Sequence, residues 1–346
     1  MFGKLLGNTQ IKIILRRMLA NNRVPHSLLF TGEEAVGKRQ FALELAKAFV
    51  CQNPQDFEAC DSCPACRRAD KFKFPKPDDK KEEYEKVFFS EHSDVGMVIP
   101  YKNSILVNAV RDLEKEANFR PYEAKARFFI IDDADKMNDA ASNALLKTLE
   151  EPAPTTYLFL VTSRPDALLQ TILSRCQTFR FAPIPPVEIE NHLLETNKFA
   201  PDDAELLARL SAGSIGRALE TDLAKFREQR EMMIKVLQSL LMQENRALLL
   251  KTAEEMNDAK NKDNYEQFLD ILQTLIHDVW SLKLGADEFS IVNRDYKSQL
   301  KILADNADAK RLSKWLAELE TMRELFIVNL NKKIATDALF MQMANK

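Results

Sequence analysis

The chain has 346 residues with 45% apolar and 29% charged side chains and a formal net charge of −3, the balance of a soluble globular protein of two or three domains that needs no disulfides to hold a core. No apolar run reaches the ~18 residues that span a bilayer, and Met1–Leu6 does not read as a signal peptide, so a cytoplasmic protein without a membrane partner is expected. A lone nucleic-acid binder usually carries a basic excess, so any DNA contact is expected as one wall of a larger assembly.

Behind Gly7-Asn8-Thr9, the apolar positions Ile11, Ile14, Leu15, Met18 and Leu19 repeat at helical spacing. Ser27-Leu28-Leu29-Phe30 is a short apolar run, read as a buried strand, and Gly32 to Lys38 is a turn. Phe41, Leu45 and Phe49 then recur every four residues, with Ala42, Ala46 and Val50 beside them, which predicts a helix. A cysteine cluster follows. Residues 71–90 are rich in Lys, Asp, Glu and Pro and read as a solvated, mobile insertion.

Ile105, Val107, Val110 and Leu113 suggest another helix, and Phe128 to Ile131 a buried strand ending in acids. Ala140 to Glu151 reads as a helix closed by Pro152 and Pro154, and Tyr157 to Thr162 as a strand. Strands alternating with helices predict an α/β domain with a parallel sheet. Pro183, Pro185 and Pro186 mark a boundary, after which no strand pattern appears. Phe268, Leu272, Leu275 and Val279 share one helical face, as do Leu312, Trp315, Leu319, Met322 and Phe326, with Gly213, Gly216 and Gly285 as breaks.

Gly32-Glu33-Glu34-Ala35-Val36-Gly37-Lys38 fits the phosphate-loop pattern G-x-x-x-x-G-K, between a strand and a helix as that loop requires. Backbone N–H groups of such a loop converge on phosphate, and Lys38 would reach the β- and γ-phosphates. The pattern next asks for Ser or Thr, whose hydroxyl ligates Mg²⁺. Arg39 stands there, and a guanidinium repels a cation. Glu33 and Glu34 add negative charge beside a phosphate site, and Ala35 replaces a flexible glycine. Asp132 closes a strand where a Walker B carboxylate would hold Mg²⁺, and Asp133 follows where an active ATPase has a glutamate one methylene longer. The expectation is weak ATP and Mg²⁺ binding at best and little hydrolysis. A chance turn and an acidic loop are the plain alternatives.

Cys51-x₈-Cys60-x₂-Cys63-x₂-Cys66 supplies four thiolates, and Cys176 stands apart. In a reducing compartment clustered cysteines favour metal over disulfides. Two-residue spacers let the sulfurs converge on one ion, as in a closed structural zinc site. An iron–sulfur cluster competes for the same ligand set, and four free thiols are the bland alternative.

Phosphate loop, four-cysteine module, Asp132-Asp133-Ala134-Asp135 and Ser174-Arg175-Cys176 follow in the order of bacterial clamp-loader AAA+ subunits. Phe119-Arg120-Pro121-Tyr122-Glu123, Asn143-Ala144-Leu145-Leu146-Lys147-Thr148-Leu149-Glu150-Glu151-Pro152, Gly285-Ala286-Asp287 and Asn329-Leu330-Asn331 extend the likeness over nearly the whole chain. The sequence resembles that family, and within it the delta-prime group. The resemblance implies an AAA+ α/β core (a P-loop parallel sheet) over 1–183 with an inserted zinc module at 51–66. A small helical lid over 184–222 and an all-α collar over 223–346 would follow. It further implies a hetero-pentamer with other clamp-loader subunits that places a sliding clamp on primer–template DNA.

Under the resemblance, Arg175 points out of its own subunit into a neighbour's ATP site. A trans-supplied arginine of this kind offsets charge on the transferring phosphoryl group, a gain of roughly 10³–10⁵ in rate. Standing alone it is a surface arginine after a helix. Thr162 matches the polar sensor at a strand end, otherwise an ordinary strand-terminal threonine. Arg217, in Gly213-Ser214-Ile215-Gly216-Arg217, matches the lid arginine that senses the γ-phosphate, otherwise a helix-surface arginine. The reading is a largely non-hydrolysing jaw. Its rivals are an ATP-hydrolysing gamma or tau subunit of the same assembly, and a stand-alone zinc-bearing AAA+ repair factor.

Overall fold

The computed structural model of the chain describes residues 2–258, 261, 264–287, 290–325 and 331–345. In chain order the elements are α1 (Thr9–Ala20), β1 (Ser27–Thr31), α2 (Lys38–Val50), α3 (Pro64–Ala69), β2 (Phe88–Phe89), β3 (Val95–Val98), α4 (Val107–Ala117), β4 (Arg127–Ile131), α5 (Asp139–Glu150), β5 (Thr156–Thr162), α6 (Gln170–Leu173), β6 (Gln177–Arg180), α7 (Pro186–Glu195), α8 (Pro201–Leu210) and α9 (Ile215–Glu220). Then come α10 (Leu223–Gln238), α11 (Arg246–Asn257), α12 (Tyr265–Lys283), α13 (Lys297–Asp305), α14 (Ala309–Leu325) and α15 (Lys332–Ala344). One compact unit comprises Met1–Phe199 and Ser211–Leu219; the other comprises Ala200–Leu210 and Glu220–Lys346.

The first unit is built on a six-stranded sheet in the order β2-β3-β4-β5-β1-β6. All neighbours are parallel except β2, which pairs antiparallel with β3. The central strands are continuous apolar runs because both faces are covered by helices. Leu28, Phe30, Phe128, Ile130, Phe159 and Val161 pack with Leu15, Phe41 and Leu45 of α1 and α2. Their chain neighbours Leu29, Phe129, Ile131, Leu158 and Leu160 point the other way, to Val110, Leu113, Leu145 and Leu149 of α4 and α5. The period-2 alternation of strand side chains thus splits one apolar run between two cores.

Three strands escape the sequence pattern. β2 has two residues, β3 has four, and the edge strand β6 buries only Phe179. Such segments are too short or too polar to show a period. Gly96 in β3 also looks like a breaker, yet a Cβ there would meet Val87 at 2.6 Å, so packing excludes any larger residue.

Residues 71–90 correct the expectation of a merely solvated insertion. Tyr84, Val87 and Phe88 are buried, the Phe72 and Phe74 rings stack at 5.4 Å, and Tyr84 meets Tyr101 at 5.1 Å. Phe72 also bridges to Ser90 beside β2. The lysines and acids hid an aromatic set that lines the sheet edge. Composition averages over both faces of such a segment and reports only the wet one.

Among the described residues no strand follows β6, as the sequence implied. In the second unit Phe268, Leu272, Leu275 and Val279 of α12 pack with Leu312, Trp315, Leu319 and Met322 of α14 in one core. The expected contributions of Phe326, Asn329 and Leu330 fall outside the described residues. α12 stops where expected: Gly285 takes φ +78°, and the Ala286 and Gly285 amides donate to the Ser281 and Leu282 carbonyls, at 2.9 and 3.1 Å. That is a Schellman cap, which favours glycine.

The loop before α13 is pinned by Asp278, fully buried, which accepts bonds from the Val292 and Asn293 amides and the Asn293 side chain. Arg230 clamps the same loop through Asp295 and Asn293. No helix in the described residues is long and apolar enough to cross a membrane.

Candidate functional site

The expected phosphate loop joins β1 to α2 at the carboxyl end of the sheet, where ligands of open α/β sheets bind. Its turn forces three left-handed residues: Gly32 at φ +142°, Ala35 at +57° and Gly37 at +97°. Gly32 has no alternative, since a Cβ would stand 2.5 Å from the Phe181 carbonyl oxygen.

Lys38 is 6% exposed and turns back on its own loop, donating to the Gly32 and Glu33 carbonyls at 2.7 and 2.6 Å. Burial lowers its pKa, and the nearby carboxylates of Asp132 and Asp133 resist that fall. Arg39, on the first turn of α2, donates from Nη1 to Asp132 Oδ2 at 2.9 Å. The residue in the hydroxyl position and the carboxylate of the metal position therefore hold each other. Burial raises the Asp132 pKa, and the Arg39 charge opposes the rise. Asp133, at φ +51°, bonds Lys136 Nζ at 2.8 Å.

The turn into α9 docks on the loop from outside. Ser214 Oγ donates to the Glu34 carbonyl, and the Gly216 amide donates to the Ala35 carbonyl at 3.0 Å. A Cβ on Gly216 would meet Ala35 Cβ at 2.7 Å, so glycine permits this approach. Arg217, the next residue, is exposed. Thr162 is fully buried at the end of β5, beside Thr31 of β1. Its hydroxyl donates to Asp135 Oδ1 at 2.6 Å and accepts from the Arg164 amide at 3.0 Å. Burial works against ionising Asp135, but bonds from Thr162 and Arg164 bring its pKa below the usual value. Asp135, the last acid of the motif, thus fixes Thr162, a role the sequence did not single out.

Arg175 lies between α6 and β6, away from this loop's bonds. Its Nη2 donates to Glu150 Oε1 at 2.6 Å and its Nη1 to the Thr171 carbonyl at 2.9 Å. Cys176 beside it packs against the core under α5, and burial raises its thiol pKa to about 12, as befits an inert structural cysteine.

The four clustered cysteines converge. Their sulfurs all lie within 4.8 Å of one another, with Cys51 and Cys63 at 4.0 Å. A tetrahedral ion with metal–sulfur bonds of about 2.3 Å needs sulfurs about 3.8 Å apart, so the set fits a metal. The Cys60, Cys63 and Cys66 amides donate to the Cys51, Cys60 and Cys63 sulfurs at 3.3–3.4 Å, bonds that favour thiolates. Hydrogen bonding from Ser62 brings the Cys60 thiol down to about 6, whereas burial raises the Cys51 and Cys66 thiols.

What anchors this module is a residue the sequence reading passed over. Lys47 of α2 has 3% of its side chain exposed and bonds Glu44, Asp61 and Asp70 at 2.8–2.9 Å. Glu58 of the module receives the Phe2 amide at 2.8 Å and the Arg16 guanidinium. The available signal was a lysine on the face of α2 otherwise made by Leu43, Ala46 and Val50.

A family model described as DNA polymerase III, delta subunit, matches residues 7–185. One described as DNA polymerase III, delta subunit, C terminal, matches residues 224–343. DNA polymerase III subunit delta' of Bacillus subtilis (strain 168) is 31% identical over 313 residues, covering 90% of this chain and 89% of that one. Its counterpart in Escherichia coli (strain K12) is 28% identical over 323 residues, covering 92% and 88%. Subunit tau of the same strain is 30% identical over 230 residues, but these are 64% of this chain and 33% of that one.

Proposed function

The chain belongs to the DNA polymerase III delta-subunit family, and from that premise we propose that it works as the delta-prime component of a clamp loader in DNA replication. Its partners are the other loader subunits, the sliding clamp and primer–template DNA within the assembly, in the cytoplasm. The three-part division into a core over 1–183, a lid over 184–222 and a collar over 223–346 belongs to the same proposal. So does zinc as the structural ion of Cys51, Cys60, Cys63 and Cys66.

The observation that carries a non-hydrolysing role is the Arg39–Asp132 pair. Phosphoryl transfer needs a divalent ion bridging the phosphates, held by the loop hydroxyl and the Walker B acid. Here a guanidinium fills the first place and its charge is matched by the second. Lys38, bonded to its own loop, supplies positive potential but no metal. What the subunit contributes is Arg175, presented to a neighbour's ATP, where its charge offsets the negative charge of the transferring phosphoryl group.

The test uses the chain alone and the reconstituted loader. Alone, with primed DNA and clamp, turnover stays far below the ~1 s⁻¹ of a competent enzyme. In the loader, Arg175→Ala leaves assembly intact and lowers ATP turnover at least tenfold. Brisk turnover by the isolated chain, or an unaltered rate in the Arg175→Ala loader, would falsify the reading.

A further inference from the structure

α5 ends on two acids, Glu150 and Glu151, followed by Pro152. This is the negative end of the helix dipole, where cations are favoured and carboxylates are not. A residue placed against the local rule calls for a partner, and Glu150 has one: Arg175 Nη2 at 2.6 Å. The second arm of the same guanidinium is held by the Thr171 carbonyl at 2.9 Å. Both bonds fold the side chain back along its own subunit. The backbone on either side is fixed, because Ile172 is fully buried and Cys176 packs on the same core. Only the side chain is left to swing.

We infer that Glu150 is a latch that parks Arg175 inside its own subunit and releases it when a neighbour's nucleotide arrives. Glu150 is then a positioning residue for the trans reaction. The inference rests on the proposed finger role of Arg175. The chemistry of exchange is direct: a guanidinium fork donates to a carboxylate or to a phosphate with similar geometry, and a polyphosphate with more charge displaces the single carboxylate. The latch is weak by construction. A third of the Arg175 side chain and half of Glu150 remain exposed, at 33% and 49%. A solvated pair of that kind shifts an equilibrium by no more than about fivefold. That is enough to hold down unstimulated turnover while leaving the engaged state accessible.

The experiment is a double-variant cycle in the reconstituted loader, reading ATP turnover without clamp or DNA, with native mass as a check on assembly. Glu150→Gln keeps the shape and removes the charge, and should raise unstimulated turnover roughly two- to fivefold. Glu150→Asp, one methylene shorter, should give a smaller rise. In an Arg175→Ala background Glu150→Gln should change nothing, an outcome that a purely structural role for Glu150 would not produce. If Arg175→Ala lowers turnover but Glu150→Gln leaves it unchanged or lowers it, the latch is wrong and the finger stands. If Arg175→Ala itself has no effect, both are wrong.

Discussion

At the scale of single residues, the informative positions are those where charge replaces something the fold leads one to expect. Arg39 replaces a hydroxyl, and its bond to Asp132 follows from that one change. Arg39→Thr should give the isolated chain Mg²⁺-dependent ATP binding, read by calorimetry with and without the ion, while hydrolysis stays slow because Asp133 is still short. Binding that ignores Mg²⁺ would show that the pair is not what keeps the ion out.

Lys47 replaces an apolar residue on the buried face of α2, and its ion pairs hold the cysteine module. Removing one partner of a buried charge cluster leaves the others uncompensated, so Lys47→Met should cost about 3 kcal/mol in denaturant unfolding at pH 7. The same cluster sets a pH dependence. Burial tends to raise the Asp61 pKa, but Lys47 and Lys4 hold it well below the usual carboxylate range. A depressed folded pKa stabilises the fold above the unfolded value of about 4, and that stability is lost as pH falls below it. Acid unfolding of the parent should steepen below about pH 4, and Lys47→Met should flatten that limb.

Among the elements, the cysteine module is a short segment without a core of its own. Its order comes from acids that reach other elements, Glu58 to the Phe2 amide and Arg16, Asp61 to Lys4 and Lys47, and, under the proposed zinc site, from thiolates that share the ion. On that proposal metal and fold are coupled. Elemental analysis should find about one equivalent of zinc, and a strong chelator at raised temperature should lower the melting temperature and expose residues 51–70 to protease. Iron with visible absorbance, or a chelated protein that melts unchanged, would remove zinc from this account. The segment 71–90 makes the complementary point. Its lysines face water, whereas Phe72, Phe74, Tyr84 and Phe88 interlock, so its order comes from rings that a charge count cannot see.

For the whole molecule, the sequence alone determined a great deal. Continuous apolar runs at 27–30, 128–131 and 157–162, separated by helical periods, leave a parallel α/β sheet as the economical solution, because only strands covered on both faces are apolar throughout. The glycine turn between β1 and α2 and the convergence of the four cysteines were legible because each pattern occupies a few neighbouring positions. The tertiary structure decided what depends on distance across the chain. That Arg39 meets Asp132, that Thr162 is tied to Asp135, that Gly216 seats on Ala35, and that Arg175 rests on Glu150 are pairings between segments 25 to 181 positions apart along the chain. The short strands β2, β3 and β6 likewise exist only as partners of longer ones. Local chemistry is written in spacing, but which charges neutralise one another is settled only when the sheet and its helices bring them within hydrogen-bond reach.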